Sequence, residues 1–331
     1  MKVLITGGAG FIGSTVASAC RDAGLPVVIL DDLSTGRVEF TSGHDFYTGD
    51  IADGALIDRI FSDHPDIGVV IHCAARIIVP ESVSDPLSYY RNNVSKTVEL
   101  LDHLIRNHCE RFIFSSSASV YASTDDFRVD EATPMAPQSP YARTKMMVEL
   151  ILADTARAHP LRVLSLRYFN PIGADQDLRT GLQIKEPTHA LGRMLDCWRD
   201  GEVFSVTGTD WPTRDGSGLR DYIHVWDLAL AHLRGVQLFD QAVPADDPYQ
   251  VLNLGTGTGT TVRELVAAFG QAAGPGLRVQ EAPRRDGDVA GCYADPGAAN
   301  ERLGWQAELS IEDGIRDAVA WLDRRKDVLG Y

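Results

Sequence analysis

A short apolar run, Lys2–Thr6, ends in Gly7-Gly8-Ala9-Gly10-Phe11-Ile12-Gly13, and a helical pattern starts at Phe11. No other feature of the 331 residues narrows the possible folds so far. Gly7, Gly10 and Gly13 stand at the spacing G-x-x-G-x-x-G. Glycine permits the tight turn and lets backbone N–H groups approach an anion at the positive end of a helix. The spacing alone also fits an ordinary strand-to-helix turn. The later strands of the chain decide between the two. Pro26–Leu30, Ile67–Ala75, Arg111–Ser115 and Arg162–Phe169 are buried-strand runs, and Phe46–Tyr47 precede Gly49-Asp50. Helical stretches such as Phe11–Ala23 and Leu87–Asn107 separate them. Strands apolar on both faces, alternating with helices, predict a parallel sheet covered on both sides. Right-handed crossovers then leave a doubly wound, Rossmann-type α/β fold.

Asp31 closes the second strand, 18 residues after Gly13. A carboxylate there accepts both ribose hydroxyls of an adenosine and repels a 2′-phosphate, which predicts NAD rather than NADP. Asp50 and Ile51, after the third strand, stand within reach of an adenine. After Asn170-Pro171 the texture changes, and residues 171–220 are rich in Gly, Pro, Thr and charge. The expected division is an NAD-binding domain of residues 1–170 with a return segment 221–255, and a smaller C-terminal substrate lobe of 171–220 and 256–331.

Ser139-Pro140 opens a helix, serine suiting the N-cap and proline the first helical position. Tyr141 and Lys145 follow at i, i+4 and share a face. A phenol with a pKa near ~10 is a poor base at pH 7, and a neighbouring ammonium stabilises the phenolate. Glu149, one turn further on, either pairs with Lys145 or lies in water, and water is the favoured reading. Taken alone, Y-x-x-x-K describes many surface helices. Ser115-Ser116-Ser117 changes the balance, because ligands of doubly wound folds bind at the carboxyl ends of strands. A serine there, 24 residues before Tyr141, can hydrogen-bond the substrate oxygen that Tyr141 deprotonates.

Together TGGAGFIGS, IHCAA, FSSSASVY, SPYARTK, RYFNPIGA and GLRDYIHVWDLA resemble the extended short-chain dehydrogenase/reductases, and within them the UDP-glucose 4-epimerase family. The resemblance runs from Lys2 to about Trp305, with RYFNPIGA and RDYIHVWDLA its more specific parts. It implies a tightly held NAD that is not consumed and a C4 epimerisation through a 4-keto sugar. Tyr141 would take the O4 proton, Ser117 would hydrogen-bond O4, and Lys145 would also hold the nicotinamide ribose. Asn93, in YYRNNV, and Tyr168 would line the nicotinamide side. On the UDP-sugar, Asn170 would contact the substrate, Arg220 and Arg285 would clamp the pyrophosphate, and Asp288 would accept the uridine ribose hydroxyls. His189 stands, with Thr188, where an asparagine pair often contacts the sugar. Cys292 occupies a position that carries either a bulky tyrosine or a small residue. A small one implies room for the N-acetyl group of UDP-GlcNAc and UDP-GalNAc, although a thiol filling a core gap fits the same register. The resemblance further implies a homodimer paired through Leu87–Asn107 and Ser139–His159.

Departures from the pattern bear on the sugar more than on the reaction. Arg76 is the only cation in Arg76-Ile77-Ile78-Val79-Pro80, where a lysine is common, and Ala122 replaces a glycine. Another UDP-sugar such as UDP-glucuronate therefore stays open. A 4,6-dehydratase would need an Asp-Glu pair where Ala118 and Ser119 stand. A simple alcohol dehydrogenase would exchange its cofactor, and a non-catalytic NAD-binding regulator would tolerate loss of Tyr141 or Lys145.

The net charge of −15 argues against nucleic acid and anionic membrane as partners. Five scattered cysteines without a C-x-x-C pair predict reduced thiols, a cytoplasmic location and no metal site. No stretch approaches the ~18 consecutive apolar residues of a membrane span.

Overall fold

The computed structural model describes residues 1–284 and 289–331. Its centre is a seven-stranded sheet of β1 (Lys2–Thr6), β2 (Val27–Asp31), β3 (Asp45–Thr48), β4 (Ile67–His72), β5 (Arg111–Ser115), β6 (Arg162–Tyr168) and β7 (Tyr249–Leu254). The spatial order is β7-β6-β5-β4-β1-β2-β3, and every neighbouring pair is parallel. The order reverses beside β1, so the crevice at its carboxyl end is the topological switch point where such sheets bind ligands.

Two apolar layers cover the sheet. On one face α1 (Phe11–Asp22) packs with residues of Val225–Gln237 against Val3, Ile5, Ile71 and Leu252. On the other, α2 (Gly54–Asp63), α3 (Lys96–Arg106) and α4 (Pro140–Ala158) cover Leu4, Val28, Val70 and Phe112. Helix starts follow local chemistry. Asp53 accepts from the Leu56 N–H at the start of α2, and Ser139 accepts from the Ala142 N–H at 3.2 Å before Pro140 begins α4.

The helical stretch before α3 is irregular: Tyr90–Ser95 forms a π turn, which holds Asn93 inside the protein at 4 % exposure. Wide turns of this kind open one hydrogen-bond step in a helix and re-aim side chains. The short strand Asn170–Ile172 pairs in parallel with Tyr222–His224. A second apolar core gathers α5 (Ala190–Asp200), α6 (Val262–Ala272) and α7 (Ile311–Leu329). A small sheet orders Thr260–Thr261, Leu219–Arg220, Gly291–Ala294 and Arg128–Val129. It joins a strand from the first half of the chain to three from the second. Among the described residues no helix is long and apolar enough to cross a membrane.

Candidate active site

The glycine turn shows which of its residues the protein needs for itself. Gly7 has φ +71°, and a Cβ on it would stand 2.6 Å from the Ala74 nitrogen. A Cβ on Gly13 would stand 2.3 Å from the Gly7 carbonyl oxygen. Packing therefore requires both. Gly10 is different: it caps α1 with φ −87°, and a Cβ there would meet only the Gly7 oxygen at 3.4 Å, an ordinary contact. The fold tolerates a side chain at Gly10, so what its absence preserves is open access to the positive end of α1, as a pyrophosphate requires. Phe11 opens the helix beside Ile172 and His189, and Ile12 packs on the core.

Asp31 faces the same turn. Its two oxygens accept from the Ala9 N–H at 2.9 Å and the Leu33 N–H at 2.8 Å, so the carboxylate is fixed in direction. Burial raises its pKa, and those two N–H donors offset only part of the rise. Each oxygen keeps a second lone pair for a ribose hydroxyl. Asp50 accepts from Lys96 Nζ at 2.5 Å and the Ala52 N–H at 3.0 Å. Burial acts to raise the Asp50 pKa, but the lysine and the N–H outweigh it and leave it lowered. Ile51 lies buried beside it. The glycine turn and the fixed Asp31 carboxylate are of a kind that suits a pyrophosphate and an adenosine ribose.

Tyr141 and Lys145 lie on the buried face of α4, 7 % and 3 % exposed. Lys145 Nζ donates to the Ser115 carbonyl at 2.7 Å and sits 4.7 Å from the centre of the Phe114 ring. Burial lowers its pKa to about 8, against the raising effect of Cys73 and Glu149. Burial pushes Tyr141 up to about 12, and a hydrogen bond with Ser117 works the other way. Ser117 also exchanges a hydrogen bond with Ser119 Oγ at 2.9 Å and accepts from the Ser119 N–H at 3.2 Å. The structure thus brings Ser117, Tyr141 and Lys145 together at the carboxyl end of β5. Tyr168 ends the adjacent strand β6, its ring centre 6.5 Å from that of His232, and burial raises its pKa strongly.

Asn93 is occupied by the protein itself. Its amide accepts from the Arg76 N–H at 2.8 Å and donates to the Arg76 carbonyl at 2.9 Å and to Thr144 Oγ1 at 3.1 Å. It ties the segment after β4 to α4, next to Lys145. Arg76 turns outward to Glu81 and Ser88, at 3.4 and 3.2 Å.

The second half of the site is assembled from short strands. Asn170 opens its strand with its N–H on the Asp221 carbonyl at 3.0 Å. Arg220 and Cys292 are register partners in the small sheet. Among the described residues the Arg220 guanidinium donates to the carbonyls of Leu219, Val289 and Ala290, an arrangement that leaves its charge available to an anion. Cys292 packs against an apolar cluster that includes Ala118, Tyr121 and Phe169, and burial raises its thiol to about 11. His189 caps α5, its Nδ1 accepting from the Gly192 N–H at 3.2 Å. Burial lowers its pKa to about 4, so the ring is neutral. Arg285 and Asp288 lie outside the described residues. Their neighbour Arg284 is committed elsewhere, to Asp210 at 2.7 Å and to the Trp211 ring at 3.6 Å.

Glu149 corrects the expectation of a solvated residue. It is 2 % exposed and holds Arg167 through Nε at 3.0 Å and Nη2 at 2.5 Å. The i, i+4 spacing reports the face of a helix and not its depth. Arg167 itself escaped notice in RVLSLRYF, although a cation within an otherwise apolar strand signals a buried partner.

A family model described as the NAD dependent epimerase/dehydratase family matches residues 3–255. The chain belongs to that family. As one of its members it has NAD as cofactor, in keeping with Gly10 and Asp31. A UDP-glucose 4-epimerase of Bacillus subtilis is 38 % identical over 345 residues, covering 100 % of this chain and 99 % of the relative. The solved UDP-glucose 4-epimerase of Stenotrophomonas maltophila, with bound NAD and formylated UDP-arabinopyranose, is 36 % identical with a TM-score of 0.93, covering 99 % of both chains. The UDP-Glc/GlcNAc 4-epimerase of Campylobacter jejuni is 31 % identical with a TM-score of 0.82, covering 98 % of this chain and 99 % of the other.

Proposed function

We propose that this family member inverts C4 of a UDP-hexose, UDP-glucose/UDP-galactose and also UDP-GlcNAc/UDP-GalNAc, through a transient 4-keto sugar. The observation that carries the reading is the buried pair Tyr141 and Lys145 gathered with half-buried Ser117 at the carboxyl end of β5. The family's curated members of similar sequence support the reaction class. NAD, when bound, would supply the hydride acceptor and donor for C4.

The chain supplies the rest. Tyr141 takes the O4 proton and returns it after the sugar has turned over. Ser117 holds O4 against Tyr141, and the Lys145 ammonium stabilises the phenolate. Gly7, Gly10, Phe11, Ile12 and Gly13 receive the pyrophosphate of NAD, and Asp31, Asp50 and Ile51 its adenosine. Asn93, through Arg76 and Thr144, and Tyr168 line the nicotinamide side. Asn170, His189 and Arg220, together with Arg285 and Asp288, hold the UDP-sugar while its hexose rotates. The small Cys292 side chain, a thiol where related sequences carry either a tyrosine or a small residue, is what supports N-acetylated hexoses. The wider lobe division, 1–170 with 221–255 against 171–220 with 256–331, follows the same roles.

The outer surface of the first half supports a homodimer. Leu87, Val98 and Leu150 are 62, 43 and 51 % exposed on the helical stretch before α3, on α3 and on α4. Five free cysteines support a reducing, cytoplasmic setting.

Purified protein without added NAD, incubated with UDP-glucose, UDP-GlcNAc or UDP-glucuronate and followed by proton NMR, tests the assignment. C4 inversion of the first two is expected. Turnover of UDP-glucose with inert UDP-GlcNAc removes the Cys292 argument, and turnover of UDP-glucuronate alone moves the substrate to uronates.

A further inference from the structure

Ser115, Ser116 and Ser117 form one turn with three tasks. Ser115 gives its carbonyl to Lys145, Ser117 faces Tyr141, and the hydroxyl of Ser116, fully buried, points the other way. It donates to Glu149 Oε1 at 2.5 Å. Glu149 is gripped in turn by Arg167, whose guanidinium lies 4.8 Å from the centre of the Tyr121 ring. Tyr121 donates to Asn253 Oδ1 at 2.6 Å, at the end of β7. This chain of contacts joins β5, α4, β6 and β7 immediately behind the catalytic group.

We propose that the buried Glu149–Arg167 pair is a positioning device for catalysis, which fixes the serine turn through Ser116 and so sets Ser117 and the Lys145 anchor together. The inference rests on the epimerase reading above. Stability alone explains the pair poorly, since a buried ion pair seldom outperforms apolar residues of similar volume. Arg167 Nη1 is moreover buried with no partner among the described residues. What the pair offers is direction: one carboxylate between the helix that carries Tyr141 and Lys145 and the turn that carries Ser117.

The pair also has an electrostatic consequence. Lys145 is faced by His72 at the end of β4, by Cys73 just after it, and by Glu149 from its own helix, while Tyr168 at the end of β6 senses Tyr141 and Cys73. Burial holds His72 at about 3, Cys73 at about 11 and Tyr141 at about 12, so all three are neutral at pH 7. Glu149, with Arg167 behind it, is the charged neighbour, and it raises the Lys145 pKa.

Two variants of the NAD-loaded enzyme test the inference. Ser116→Ala removes one hydroxyl away from the substrate. It is expected to lower kcat at least about tenfold with KM unchanged, because small misplacements of reacting groups are costly in rate. Bound NAD is expected to be retained and the melting temperature to fall by only a few degrees. Glu149→Gln keeps an acceptor for Ser116 but removes the charge, so the alkaline limb of the pH–kcat profile is expected to move to lower pH. Ser116→Ala should leave that limb in place. A kcat for Ser116→Ala within about twofold of the parent overturns the positioning role, and it decides the matter alone if Glu149→Gln does not fold. Superimposable pH profiles for parent and Glu149→Gln overturn the electrostatic part. A parent that inverts no UDP-sugar overturns the functional reading, and this inference falls with it.

Discussion

Tyr141 shows how burial and chemistry pull against each other at a single residue. Removal from water raises a phenol's pKa, and Tyr141 stands at about 12. A base at pH 7 needs the opposite shift, which only a neighbouring cation and hydrogen-bond donors can supply. In the proposed mechanism Lys145 is that cation, and burial brings its own pKa down to about 8. Above about pH 8 the ammonium is progressively lost and the phenolate loses its stabilisation. The activity is therefore expected to fall on the alkaline side as Lys145 deprotonates, which a pH–kcat series measures. Tyr141→Phe keeps the ring and its packing but removes the proton carrier. It is expected to lower kcat by about 10²–10⁴ while NAD content stays that of the parent; a smaller loss would move the base elsewhere. The positions of Tyr141 and Lys145 on one face of α4, and of Asp31 at the end of β2, were legible in the sequence because spacing along one helix or from a strand end sets them. Glu149 and Arg167 were not, since their partnership depends on how α4 lies across β6.

At the scale of elements, β1, β2, β4, β5 and β6 of the main sheet were legible because each is a short apolar run, whereas the edge strand β3 shows only Phe46-Tyr47 between polar residues. The two-residue strands Arg128–Val129, Leu219–Arg220 and Thr260–Thr261 carry no such pattern. Their pairing is decided by neighbours far along the chain. The π turn at Tyr90–Ser95 was equally hidden, because helical periodicity runs through Leu87–Asn107 without a break. Its product is the inward Asn93, which takes both backbone groups of Arg76 and Thr144 Oγ1. Asn93→Ala leaves the half-buried N–H and carbonyl of Arg76 without this partner, while Thr144 keeps its bond to the Tyr141 carbonyl, and is expected to cost about 1–3 kcal/mol. Urea unfolding reads this as a lower midpoint at unchanged slope. An unchanged midpoint would mean that the π turn holds the segment after β4 without the amide.

At the scale of the whole molecule, the C-terminal region closes back on the cofactor side. Tyr331 Oη donates to the Gln183 carbonyl at 2.6 Å and accepts from Arg37 Nε at 2.9 Å. Gln183 Nε2 donates to the Thr35 carbonyl at 3.1 Å, and the Arg37 N–H donates to the Ala9 carbonyl at 2.9 Å. The segment after Asp31 is thereby strapped to the glycine turn on one side and to Gln183 and Tyr331 on the other. Lys185 Nζ, 4.2 Å from the Tyr331 ring centre, and Arg325, at 5.4 Å, add contacts that need the ring alone. NAD retention through gel filtration is expected to decrease from parent to Tyr331→Phe to Tyr331→Ala. Equal retention in all three would contradict a role for the strap.

In the proposed mechanism hydride leaves C4 and returns to C4 on retained NAD, while Tyr141 handles only the O4 proton. The sharpest test is NMR of a UDP-hexose deuterated at C4, incubated in ordinary water with protein to which no NAD is added. C4 inversion with the deuterium still at C4 is the predicted result. Inversion with deuterium lost to water, or no inversion in NAD-replete protein, would contradict the mechanism.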